Sequence, residues 1–192
     1  MSGDLRCEPL SIEQLRSLPP IVSEYTSDEI FRVDLIERAD CVTWTLRAQR
    51  LTEPVRKVYD IGRIDHILSS YSDVKEENLH CLGAFVGDEY VGLAIWTETS
   101  WNNSLWLMDI RTRRENRGRG IGRALLDYVA AVARDDGWRG ILVETQNNNY
   151  AAIRFYRRYG FQFSGLNHNL YSNDDLDRQD VAIYLYYSIN GE

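Results

Sequence analysis

Hydrophobic positions change their period along the chain, and those changes predict its elements. Ser11 to Leu18 predicts a short helix, with Ser11 as its N-cap and Pro19-Pro20 ending it. Ile30-Phe31-Arg32-Val33-Asp34-Leu35-Ile36 and Val42-Thr43-Trp44-Thr45-Leu46 alternate and are rich in β-branched and aromatic residues; the polar break from Glu37 to Asp40 makes them a hairpin. Ile61 to Tyr71 predicts a helix. Leu82–Val86 and Tyr90–Thr97, around a turn at Gly87-Asp88-Glu89, predict a second hairpin. Leu105-Trp106-Leu107-Met108-Asp109-Ile110 reads as a largely buried strand. Beyond it Ile121, Ala124, Leu125, Tyr128, Val129 and Val132 line one helical face. Ile141-Leu142-Val143-Glu144-Thr145 is a further apolar strand, broken by Asn147-Asn148-Asn149 and followed by a helix that Asn149 can cap. Phe161–Ser164 and Val181–Tyr187 read as closing antiparallel strands. Strands first, then strand–helix–strand–helix–strands, is an α/β arrangement with a mixed sheet.

The turn between the 105–110 strand and the helix at Ile121 reads Arg117-Gly118-Arg119-Gly120-Ile121-Gly122-Arg123. A glycine-rich turn that opens a helix leaves backbone N–H groups pointing outward, with the positive end of the helix dipole behind them. Such a turn suits phosphate. Arg117, Arg119 and Arg123 add charge that reaches the same anion. A Walker-type loop is excluded, because its Lys-Ser/Thr is absent. A dinucleotide fingerprint lacks its third glycine, since Arg123 stands there. Glu144, where a ribose-binding acid would lie, keeps a nicotinamide or flavin reading open.

Composition bounds the class. With 192 residues, 44% of them hydrophobic, the chain can bury one core, and a single domain over 1–192 is expected. Met1 to Leu15 holds no apolar h-region and no stretch approaches 18 apolar residues, which points to a cytoplasmic protein without a membrane span. Cys7, Cys41 and Cys81 are odd in number and scattered, as reduced thiols would be. His66, His80 and His168 lack metal-ligand spacing, so no metal is expected. Residues 1–100 carry 10 Lys and Arg against 18 Asp and Glu, a net −8, and the rest is +1, giving the −7 of the whole. An acidic front half would attract a polycationic partner and repel nucleic acid; the same charge also serves solubility.

Two motifs carry a resemblance. Arg117, Gly120 and Gly122 form Arg-x-x-Gly-x-Gly, and Asn149, Ala152, Phe155 and Tyr156 form Asn-x-x-Ala-x-x-Phe-Tyr, followed by Gly160-Phe161. In that order, about thirty residues apart, they resemble the acetyl-CoA-binding motifs of the GNAT N-acetyltransferase superfamily. Within it the chain looks most like the streptothricin (nourseothricin) acetyltransferases. That narrower likeness rests on Asp28-Glu29-Ile30-Phe31-Arg32-Val33, Arg56-Lys57-Val58-Tyr59, Ser100-Trp101-Asn102, Glu144-Thr145-Gln146-Asn147-Asn148-Asn149 and Gly165-Leu166-Asn167-His168-Asn169-Leu170-Tyr171.

The resemblance implies a GNAT fold, a mostly antiparallel twisted sheet flanked by helices. Acceptor-side elements would occupy mainly residues 1–100, the acetyl-CoA-binding core 101–164 and closing strands 165–192. It implies splayed strands ending near Asp109–Arg111 and at Glu144, with acetyl-CoA held by Ile110, Arg111, Arg117 to Arg123, Asn149, Ala152 and Tyr156. It also implies a small cationic amine as acceptor, streptothricin first. Many members pair through their closing strands, so a homodimer is compatible with it.

Acetyl transfer to an amine needs an unprotonated amine, a polarised carbonyl and help for a departing thiolate. A lysine-like amine of pKa about 10.4 costs roughly 4.6 kcal/mol to deprotonate at pH 7. A carboxylate can take that proton, a phenol can protonate the sulfur, and a main-chain N–H near a strand bulge can polarise the carbonyl. Tyr156 matches the superfamily's phenol and is the first choice for general acid; the alternative is a core aromatic, since Ala152, Phe155, Tyr156 and Tyr159 share one helical face. Glu144, then Asp109, are the candidate bases, with Glu98 a third; each could instead bind the cationic acceptor or pair with an arginine. Asp28 and Glu29 look like acceptor-binding residues. Trp101 and Tyr171 would wall a cleft or pack in the core. Two further functions stay open: a GNAT enzyme acting on a polyamine, aminoglycoside or protein N-terminus, and a CoA-binding module without catalysis.

Overall fold

The computed structural model describes residues 4–59, 63–71 and 74–189. Along the chain run β1 (Leu5–Leu10), α1 (Ile12–Ser17), β2 (Ser23–Arg38), β3 (Cys41–Tyr59), α2 (Arg63–Ser70), β4 (Leu79–Val86), β5 (Glu89–Thr99), β6 (Ser104–Thr112), α3 (Ile121–Asp135), β7 (Gly140–Gln146), α4 (Tyr150–Tyr159), β8 (Gln162–Asn167), α5 (Asp175–Arg178) and β9 (Ala182–Ser188). Short 3₁₀ turns lie at Glu76–Asn78, Ser100–Asn102 and Arg114–Asn116. The chain forms two compact units. The first gathers Met1–Ser23, Tyr59–Val143 and Ser188–Glu192, so far as these residues are described; the second gathers Glu24–Val58 and Glu144–Tyr187.

In the first unit the strands lie in the order β1-β4-β5-β6-β7. The first three pairings are antiparallel and β6–β7 is parallel. Every residue of β5 from Tyr90 to Thr97 is buried, because both faces of this central strand are covered. Leu93 and Ile95 point into a cluster with Leu15 of α1 and Ile64 and Ile67 of α2. Gly92, of opposite parity, faces α3: a Cβ there would stand 2.9 Å from Ile121 Cγ2 and 3.3 Å from Leu125 Cδ1. Only glycine lets the start of α3 lie this close to the sheet. A bulge reconciles Tyr90 with the same cluster as Leu93. Gly92 pairs with Ala84 and Tyr90 with Phe85, so Val91 is an extra residue that flips the strand's parity.

α1 starts with a complete capping box: the Ser11 hydroxyl accepts from Gln14 N at 3.2 Å, and Gln14 Oε1 accepts from Ser11 N at 2.7 Å. The expected helix over 61–71 is present as α2; Ile61 lies outside the described residues. The expected face of α3 is partly corrected. Ile121, Leu125 and Val129 are buried, but Leu126, Ala130 and Ala133 join them, whereas Ala124, Tyr128 and Val132 are only half-buried. Alanine adds little apolar signal to a sequence, yet its size suits it to a close helix–sheet contact. β1, which periodicity did not predict, is an edge strand whose Pro9 lies opposite Leu82.

In the second unit β2 and β3 form a two-stranded ribbon of 16 and 19 residues, far longer than the alternating core of the predicted hairpin. β8 and β9 pair antiparallel, as expected of the closing strands. α4 buries Ile153 and Tyr156. Phe161 has no exposed surface and centres an aromatic group, with Tyr156 at 5.3 Å and Tyr187 at 5.4 Å between ring centroids. Phe31 of β2 meets Tyr150 at 5.0 Å and Phe163 at 5.6 Å.

Candidate active site

The first unit supplies an anion-binding turn. β6 pairs with β7 at Leu105–Leu107 against Ile141–Val143, and then runs on to Thr112. At the point of departure β6 carries a bulge: Ile95 pairs with Asp109 and Trp96 with Leu107, so Met108 has no opposite residue. A bulge re-aims the backbone and frees main-chain groups from the ladder. Beyond it, Arg113 pins the strand exit by donating through its backbone N to Val91 O at 2.8 Å and through Nε to Tyr90 O at 2.6 Å. The turn then uses two left-handed glycines, Gly118 (φ 77°) and Gly120 (φ 84°). Gly120 is the N-cap of α3, and no side chain caps the helix; its first bond runs from Ala124 N to Gly120 O at 3.0 Å. A Cβ on either glycine would meet nothing within 4 Å. Uncapped first-turn amides beneath open space, flanked by the exposed Arg117, Arg119 and Arg123, fit a phosphate group. Arg123 also lies 3.7 Å from Asp127 one turn along.

Gly120→Val should therefore raise KM for a substrate that carries its phosphate on this turn at least ten-fold, since the side chain enters that space and strains a left-handed residue. Gly137 (φ 76°), just past α3, is as strained and as open. Gly137→Val is expected to share the loss of stability but leave KM unmoved; equal KM changes in both would mean that only backbone strain is read.

The other sequence-predicted residues of this unit fall as follows. Asp109 Oδ1 accepts from Arg111 Nε at 2.9 Å, both side chains being largely buried, and Arg111 Nη1 donates to Ile21 O at 3.2 Å. Asp109 thus already has a guanidinium as its partner within the same strand. Ile110 and Arg111 pair with Ala94 and Leu93 across the sheet. Glu98 is exposed and lies 3.5 Å from His80 Nε2. Trp101 is 86% exposed on its 3₁₀ turn, which corrects the alternative that it packs in the core.

The second unit holds the remaining candidates. β7 carries the chain into it at Glu144. The Glu144 carboxylate accepts a hydrogen bond from the Tyr171 hydroxyl. Tyr171 is held in turn by the buried Asp175, whose Oδ2 accepts from Tyr171 N at 2.9 Å and whose Oδ1 accepts from Ser172 Oγ at 2.6 Å. Burial pushes the Glu144 carboxyl up to about 7; the Tyr171 hydrogen bond opposes this, the negative charge of Asp180 adds to it, and the Lys57 ammonium opposes it. The phenol of Tyr184 is itself raised by burial and by the charge of Glu144. Asn149 caps α4 through its Oδ1, which accepts from Ala152 N at 3.3 Å. Tyr156 is 5% exposed, with its ring 5.3 Å from Phe155 as well as from Phe161, so it packs as a core aromatic whatever its hydroxyl does. Asp28 is exposed and 3.7 Å from Arg50; the Glu29 carbonyl accepts from Ser27 Oγ at 2.5 Å.

Periodicity and motifs did not reveal the polar network around Asp180. Lys57 Nζ donates to Asp180 Oδ1 at 2.5 Å, and Asn148 Nδ2 donates to the same oxygen at 3.2 Å and to Gln179 O at 2.9 Å. Asn148 Oδ1 accepts from the Tyr25 hydroxyl at 2.6 Å. Asn147, with no exposed surface, exchanges two 2.8 Å bonds with Val181. Three successive asparagines after an apolar strand were the one available signal: such residues in a core must find partners.

Among the described residues no cluster of three or more His, Cys, Asp and Glu could hold a metal ion, and no helix is long and apolar enough to cross a membrane. Residues 38–161 match the model of the Acetyltransferase (GNAT) family. The chain belongs to that family, and it is an acetyl-CoA-dependent N-acetyltransferase. It is similar to streptothricin acetyltransferase of Streptomyces lavendulae, 32% identical over 77% of this chain and 76% of the relative. Streptothricin acetyltransferase A of Bacillus subtilis (strain 168) is 28% identical over 75% and 79% respectively. In fold, it matches a crystal structure of nourseothricin acetyltransferase with a TM-score of 0.76, at 24% identity, covering 96% of this chain and 98% of that one.

Proposed function

We propose that the acceptor is streptothricin, acetylated on an amine of its β-lysine chain and so inactivated. The observation that carries this reading is the match to streptothricin acetyltransferases over about three quarters of the chain. The acidic first hundred residues agree with a polycationic acceptor; the exposed Asp28 and Glu98, the partly covered Glu29, and the aromatic faces of Trp101 and Tyr171 are our choices for contacting it.

When bound, acetyl-CoA supplies an acetyl thioester, whose C–S bond breaks as the C–N bond to the amine forms. Glu144, poised near neutrality, accepts the proton that the amine must lose. Tyr171 orients that carboxylate. Tyr156 gives its phenolic proton to the departing sulfur. The turn from Arg117 to Arg123, with Ile110, Arg111, Asn149 and Ala152, holds the cofactor. Asp109, already paired with Arg111, helps to bind or orient rather than to take the proton.

Thiol release from acetyl-CoA, measured with streptothricin beside a panel of polyamines, aminoglycosides and peptides, tests the reading. Turnover with streptothricin at kcat/KM above about 10⁴ M⁻¹s⁻¹, and little with the others, is expected. Turnover confined to other amines would discard the antibiotic and keep the chemistry.

A further inference from the structure

Asp175 is the only acidic or basic residue buried among the described ones, with 1% of its surface exposed. Burying a carboxyl group costs stability unless its oxygens find donors. Both of its donors come from one short segment: Tyr171 N reaches Oδ2 at 2.9 Å and Ser172 Oγ reaches Oδ1 at 2.6 Å. Both bonds point back along the chain to the loop before α5. Asp175 itself is fixed from behind. Its carbonyl accepts from Asp180 N at 2.8 Å, just ahead of β9. At the end of α5 the Gln179 side chain bonds the backbone of Val33 in β2 in both directions, at 2.8 and 2.9 Å. A network satisfied on this many sides is rigid, so Asp175 is a fixed point for the loop. That loop delivers the phenol that meets Glu144: the Tyr171 hydroxyl donates to Glu144 Oε1. Tyr171 is 39% exposed, so burial alone does not fix its ring, and its backbone bond to Asp175 supplies an anchor.

We propose that Asp175 is a positioning residue for acetyl transfer: through Tyr171 it fixes one oxygen of Glu144 and so aims the other at the acceptor amine. The contacts run without a gap, from the Asp175 carboxylate to Tyr171 N and from the Tyr171 hydroxyl to Glu144 Oε1. With Oε1 occupied, Oε2 is left to take the proton. A general base works only within hydrogen-bond reach of that proton, so a carboxylate free to swing loses rate even where its proton affinity is unchanged. Asp175 touches no reacting atom and acts only through the phenol. This inference rests on Glu144 being the base.

The test is a double-mutant cycle on kcat, with KM for acetyl-CoA followed beside it, using streptothricin or whichever amine of the panel is turned over. Tyr171→Phe and Asp175→Ala should each lower kcat by roughly 10- to 100-fold, the scale of a small misplacement of a reacting group. KM for acetyl-CoA should stay where it is. The double variant should be no slower than the slower single one, because Asp175 has nothing left to act through once the hydroxyl is gone. Asp175→Asn, which keeps the shape and one acceptor oxygen, serves if Asp175→Ala does not fold; its smaller loss should likewise vanish beside Tyr171→Phe. A residue that merely supports the fold would give losses that multiply, or a rise in KM for acetyl-CoA along with the fall in kcat. Either result, or an unchanged kcat in folded Asp175→Ala, overturns the proposal. Glu144→Gln separates the two failures. If it keeps kcat near the wild-type value, Glu144 is not the base and the underlying reading falls, taking the role of Asp175 with it. If it loses kcat while the cycle shows independent losses, only the role of Asp175 falls.

Discussion

Glu144→Gln is expected to lower kcat/KM for the acceptor by about 10²- to 10⁴-fold at neutral pH, the usual contribution of a positioned general base. The glutamine keeps an oxygen for the Tyr171 hydroxyl, so the change removes proton affinity and little else. The pH profile discriminates further. The folded carboxyl sits near 7, so its carboxylate form is lost as the pH falls below that value, and the wild-type rate should drop about ten-fold per unit there. Above it the wild type should level off. In the variant no such break remains, and the rate keeps climbing toward the amine's own pKa of about 10.4. A wild-type profile that also climbs without a break would show that the enzyme waits for free amine and that Glu144 takes no proton. The same residue has a consequence for stability. A carboxyl raised from 4.5 to about 7 in the folded protein binds its proton more tightly there than in the unfolded chain. Its contribution is full below about 4.5 and is lost as the pH rises through 7. Glu144→Gln should flatten that part of the Tm–pH curve.

What the sequence made legible follows from where the information is local. The helix beginning at Ile121, the glycines at 118 and 120 and the Asn149 cap are each contained within a few residues, and each is present, although only Ile121, Leu125 and Val129 of the expected helix face are buried. The long ribbon of β2 and β3 was under-read because stretches such as Arg47-Ala48-Gln49-Arg50 carry no alternation: both faces meet solvent, so no apolar period is imposed. Tyr171 and Glu144 are 27 residues apart, and Lys57 and Asp180 are 123 apart. No spacing rule links such partners; they are brought together only by folding. Tyr171 stands in one of the strings that carry the resemblance, but nothing in the sequence links it to Glu144. The triple asparagine at 147–149 predicts a strand break and one cap, whereas two of its members are buried partners of distant backbone. Tyr156 shows the opposite case: the motif locates the residue, while the packing alone would describe it as a core ring.

That ambiguity makes Tyr156→Phe the second decisive variant. Phenylalanine keeps the ring that sits between Phe155 and Phe161 and removes only the hydroxyl, so the fold and its melting temperature should change little. Losing a positioned proton donor to the sulfur should lower kcat by about ten-fold or more, within the range for general acids, with acetyl-CoA binding nearly intact. The size of the loss also depends on the leaving group. A thiol of pKa about 8.5 leaves with modest help, so the phenol matters most where the thiolate would otherwise have to depart unprotonated, at neutral and lower pH. The deficit of Tyr156→Phe should therefore shrink as the pH rises above the thiol's pKa, whereas a hydroxyl that served only to hold the cofactor would leave a deficit that does not change with the thiol's protonation. An unchanged kcat at pH 7, with tight acetyl-CoA binding, would return Tyr156 to its place as a core aromatic and leave the departing sulfur to be protonated by water.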